Sequence, residues 1–160
     1  MELDLFTSFL RESLYLILVF LFFFFYATFK GRQALINLII GLYFALLISM
    51  LFPYYDAILG SAGAGGESFL KLGLFVVFTI LATIFFTRMM PEEFKEKKTE
   101  SVGKKLLIAA SATIVVMVFS YHVLPVTEFI TPGSPITFLF GSFHYYFWWL
   151  LAPHVILYAI

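Results

Sequence analysis

The feature that most constrains this chain is a succession of five apolar blocks, 14–29, 34–52, 72–90, 106–124 and 136–160, separated by short polar or glycine-containing stretches. A helix of about 20 apolar residues crosses the roughly 30 Å hydrocarbon core of a bilayer. Blocks of this length must face lipid or one another. Composition agrees, with 62% hydrophobic, 21% aromatic and 12% charged residues, whereas soluble domains are about a quarter charged. The sequence therefore predicts an all-α, polytopic transmembrane helix bundle in one membrane domain, with helices over 8–29, 34–52, 72–90, 106–124 and 136–160. Four of these are clear crossings, and the last reads as a fifth, with a re-entrant or interfacial segment as the alternative.

The ends of the blocks carry the punctuation of membrane helices. Leu3, Phe6, Phe9 and Leu10 recur at helical spacing ahead of the first block, so that helix starts early and keeps Arg11 and Glu12 near the headgroups, where they reach water. Lys30-Gly31-Arg32 forms a tight hairpin to the second helix, which leaves the membrane at Pro53, Tyr54, Tyr55 and Asp56, residues suited to an interface. Segment 53–71 contains a glycine-rich stretch, 60–66, and reads as a loop, because each glycine costs a helix about 1 kcal/mol relative to alanine. Segment 91–105 is a solvated, lysine-rich loop. The start of the chain lacks a basic region and a small-residue cleavage site, so it does not read as a cleaved signal peptide.

Basic residues in short loops stay on the cytoplasmic side. Lys30, Arg32, Arg88, Lys95, Lys97, Lys98, Lys104 and Lys105 lie on one side, against Arg11 and Lys71 on the other. The expected orientation has the N-terminus outside, 91–105 cytoplasmic and 53–71 extracytoplasmic.

Polar residues inside the blocks are few and spaced. Asn37, Gly41, Ala45 and Ser49 recur at every fourth residue, which places them on one helix face. Thr79, Thr83 and Thr87 repeat the spacing in the third helix, and the fourth has Ala109 and Thr113 on one face. In lipid, where no hydrophobic force drives helices together, small residues permit close backbone approach and polar ones add hydrogen bonds. The first stripe is a helix-packing or oligomer interface, and the threonines with Thr113 form a possible polar face. No acidic or basic residue lies deep in the second to fourth helices, where one would mark an ion or proton route.

Three histidines, His122, His144 and His154, raise a metal or tail-site reading. At 1.5 Å per residue, His144 lies about 12 Å and His154 about 27 Å along a straight last helix. They could not meet at one ion, although a fold-back at Pro153 would reopen the question. The glycine-rich stretch is not a phosphate-binding loop, since no Gly-Lys-Ser/Thr follows it. With no cysteine there is neither disulfide nor thiolate chemistry. No metal, cofactor or nucleic acid is implied. The expected partners are the lipid bilayer and a second copy or other membrane proteins.

The run Lys30-Gly31-Arg32 into a helix with Gly41 and Ala45 and a Phe52-Pro53 exit resembles the front half of the CvpA-like (colicin V production protein) family. That resemblance covers the first two helices. It implies a small bacterial inner-membrane protein of about four crossings, linked to export or envelope maintenance, without established catalytic residues. The first helix departs from the pattern in lacking glycine, and the aromatic, histidine-bearing tail departs as well. The functional expectation is a non-enzymatic scaffold or subunit of a membrane assembly. An oligomeric channel or transporter comes second, and an intramembrane enzyme using His144 or His154 third.

Overall fold

The structure, a computed structural model, describes residues 2–59, 66–90, 102–122 and 135–159. The elements, in chain order, are α1 (Glu2–Lys30), α2 (Arg32–Leu51), α3 (Tyr55–Leu59), α4 (Gly66–Met89), α5 (Val102–His122), α6 (Pro135–Gly141) and α7 (Phe143–Ala159). Among the described residues there is no strand. Among the described residues four helices are long and apolar enough to cross a bilayer: Ser13–Lys30 of α1, and α2, α4 and α5. The protein is an all-α bundle with the character of a membrane-embedded chain.

Local chemistry explains the boundaries. Gly31 has φ 89° and ψ 168°, a conformation only glycine adopts without strain. A single residue thus separates α1 from α2, and its N–H bonds the Ala27 carbonyl at 3.1 Å to close the end of α1. Beyond α2, the segment expected as a loop over 53–71 is partly helical. Tyr55 opens α3 and bonds Ser49 through their hydroxyls at 2.6 Å, while Phe52 packs on Phe78 with ring centres 5.3 Å apart. These contacts fold the exit of α2 back onto α4, and α4 begins at Gly66 rather than at 72. Residues 60–65 of the glycine-rich stretch and 91–101 of the lysine-rich loop lie outside the described residues.

α5 is the centre of the bundle, packed against α1, α2, α6 and α7. Its run Ala109, Ser111, Ala112 and Thr113 is buried, because side chains this short let neighbouring backbones come close. Phe119, wholly buried, sits edge-on to Tyr43 of α2 at 5.8 Å and to Phe75 of α4 at 6.0 Å. Such edge-to-face pairs contribute about 0.5–1.5 kcal/mol each beyond simple burial.

The tail differs from the single helix expected over 136–160. It is two helices, α6 and α7, joined at Ser142. Phe140 and Trp149 would be about 13 Å apart along one straight helix, yet their rings lie 4.9 Å apart. The Trp149 indole N–H also reaches back to the Leu139 carbonyl at 2.9 Å. The chain therefore reverses at Ser142, and α7 runs back along α5. Pro153 stays inside α7 and is buried, so the reversal lies eleven residues before the proline.

Candidate functional site

The two spaced polar stripes face each other. Asn37, Gly41, Ala45 and Ser49 are all buried, and α4 packs along this side of α2. A Cβ added at Gly41 would overlap the Thr83 hydroxyl and stand 3.0 Å from the Thr83 backbone nitrogen. Glycine is thus what permits the approach. At the Lys30 end, the Asn37 amide donates to the Thr87 hydroxyl at 3.4 Å and its carbonyl accepts from Gln33 at 3.1 Å.

Each threonine hydroxyl turns inward along its own helix. Thr79 donates to Phe75, Thr83 to Thr79 and Thr87 to Thr83, at 2.8, 2.7 and 2.7 Å. This back-bonding satisfies the donor where no water is present. Thr113 donates likewise to Ala109 at 2.8 Å, but it sits on α5, whose main partners do not include α4. The structure brings Thr83 and Thr87 onto the α2 stripe and leaves Thr113 in a different helix contact.

The histidines are dispersed. His122 donates through Nε2 to the Phe140 carbonyl at 2.8 Å and packs between Phe143 and Tyr146. His154 donates through Nδ1 to the Leu150 carbonyl at 3.1 Å and lies 4.6 Å from the Tyr43 ring. His144 is exposed. Among the described residues no group of three His, Cys, Asp or Glu could hold a metal ion. The Tyr43 hydroxyl also donates to Leu150, at 2.8 Å, beside the position where Pro153 removes the N–H that a helix would offer the Trp149 carbonyl. These contacts dock the tail onto α2 and α5.

What the residue pattern did not reveal is a lateral groove of about 850 Å³ between α1 and α4. Tyr15, Phe22, Phe23 and Tyr26 form one wall, and Val76, Ile80 and Ile84 are prominent in the other. Leu38 and Leu42 of α2 with Val116 and Ser120 of α5 close the floor. Phe22, Val76, Ile80 and Ile84 are exposed, so the groove opens sideways, toward the hydrocarbon in a membrane. Its polar groups are nearly all engaged: Tyr15 and Ser120 share a hydroxyl pair at 2.8 Å, and Thr79 and Thr83 bond their own helix. Among the described residues no charged side chain lines it.

The chain has no match among protein-family models, curated proteins or solved structures. The groove and the α2–α4 seam therefore stand on their own geometry. From sequence the groove had no signal, because its Phe, Val and Ile residues are the same types that face lipid elsewhere on α1 and α4.

Proposed function

We propose that this chain is a non-enzymatic polytopic membrane protein that acts as a scaffold within a membrane assembly, and that the surface it offers is the groove between α1 and α4. The observation that carries the reading is the groove itself, an apolar, floored recess that opens to the bilayer and accepts a guest without passage through water. The small-residue stripe of α2 supports the same assignment from the other side. It is filled by α4 of the same chain, which leaves the groove as the recess in which a partner could sit. The inward-turned threonine hydroxyls weigh against a conducting path along that face, since a path needs polar groups presented to what passes.

On the resemblance to CvpA-like proteins, the assembly belongs to a bacterial inner membrane and serves export or the envelope. The test exploits bulk. Ile80→Trp fills the groove from its α4 wall, whereas Ile48→Trp adds the same ring to an exposed position on α2 outside the groove. In native membranes solubilised gently and resolved by size, Ile80→Trp should shift the chain to a smaller species and Ile48→Trp should not. Identical migration of both variants with the parent would overturn the scaffold reading.

A further inference from the structure

Both walls of the groove end in a basic residue, at the same end of the bundle. Tyr26 is the last groove residue on α1 and Lys30 follows four positions on. Ile84 is the last on α4 and Arg88 follows four positions on. Residues four apart stack on one helix face, so each cation continues the face that lines the groove. Lys30 and Arg88 are both exposed, and long basic side chains at a helix end reach out to headgroups.

The recess suits a hydrocarbon chain in length. Tyr15 to Tyr26 spans about 16 Å of helix, close to half of the roughly 30 Å hydrocarbon core, which is the depth of one leaflet. The walls suit such a chain in character: large phenylalanine, tyrosine, leucine, valine and isoleucine side chains dominate them, and the hydroxyls of Thr79, Thr83 and Ser120 are bonded within the protein.

We propose, resting on the groove as the working surface, that it holds an acyl chain of an anionic phospholipid from the leaflet that meets Lys30 and Arg88, with the phosphate drawn to those two residues. The chain supplies apolar contact along α1 and α4. The cations supply selectivity, each favouring an anionic lipid by about fivefold.

The experiment uses the purified full chain in phosphatidylcholine vesicles doped with chain-labelled phosphatidylglycerol or, separately, chain-labelled phosphatidylcholine. Electron spin resonance reads the motionally restricted fraction of each. Labelled phosphatidylglycerol should be favoured over phosphatidylcholine at the site by about 25-fold, fivefold from each cation, and the excess should fall with salt. Lys30→Ala and Arg88→Ala should each lower the excess by about fivefold. Lys105→Ala, at the same end on α5, and Lys71→Ala, at the other end of α4, should leave it in place. Ile80→Trp should remove the restricted signal of both lipids at the site while the vesicle-bound chain keeps its helical circular dichroism.

Equal restriction of the two lipids, or an excess equally lowered by Lys105→Ala, would overturn the proposal. The outcome is separable from that of the scaffold reading, because this measurement contains no other protein. Lipid selectivity lost in Ile80→Trp with the native assembly intact supports the lipid site and sinks the scaffold. An assembly lost without lipid selectivity does the reverse.

Discussion

α4 meets its neighbours in two ways. Along α2 it approaches so closely that no Cβ fits at Gly41, and the polar groups of both helices are bonded. Toward α1 it stands off, and the space between them is an 850 Å³ groove. Thr83 borders both faces and the remainder of each is largely apolar, so hydrophobicity alone does not distinguish them. Packing partners do: where α2 offers Gly41 and Ala45 the helices close, whereas α1 packs on α5 and α2 and leaves its Phe22 and Tyr26 side facing α4 across the groove. Close packing in lipid follows from what is small, whereas in water it follows from what is greasy.

The sharpest way to break this contrast is to make the tight side large. Gly41→Leu drives a side chain into the Thr83 backbone, and it should cost about 3 kcal/mol, the upper part of the range for overpacking. Thermal unfolding in detergent reads the loss, and Thr83→Ala in the same chain should recover only part of it, since the backbone contact at 3.0 Å remains. Full recovery would show that only the hydroxyl is limiting. A smaller effect is expected from Asn37→Ala, which removes the bond to Thr87 at the edge of the same seam. Interhelical bonds of this kind contribute about 0.6 kcal/mol on average and up to about 2, so a loss of about 1 kcal/mol should appear. The loose side should respond least. Ile80→Phe adds bulk where there is room, and the unfolding midpoint should correspond to a change below about 0.5 kcal/mol. A cost comparable to Gly41→Leu would mean that α1 and α4 do not stand apart.

Much of this architecture is legible in the residues because its signals are local. Twenty apolar residues between charged ends announce a crossing, and fourfold spacing from Asn37 to Ser49 announces a face. The partner of that face is not local. Nothing in the second block says that its stripe meets Thr83 and Thr87 inside the same chain, because a small-residue stripe suits a neighbour from the same or another copy equally. The groove is a still harder case, since it arises from the shape between three or four helices and not from any residue type. The tail reads as one helix over 136–160 and is two. Pro153 does not break it, since it remains in α7, where Tyr43 docks on the Leu150 carbonyl. The reversal occurs at Gly141-Ser142, a pair of small residues inside an aromatic run and the better mark of a turn.

The single-residue junction at Gly31 has a mechanical consequence. With no slack between them, α1 and α2 cannot slide past each other by a helical turn without unwinding an end, so a displacement of α1 along the membrane normal is handed directly to α2. From α2 it passes through the Gly41–Thr83 contact to α4. The two walls of the groove are thus joined by a stiff linkage that runs around its floor, and a load applied at Lys30 is transmitted to the helix that ends in Arg88.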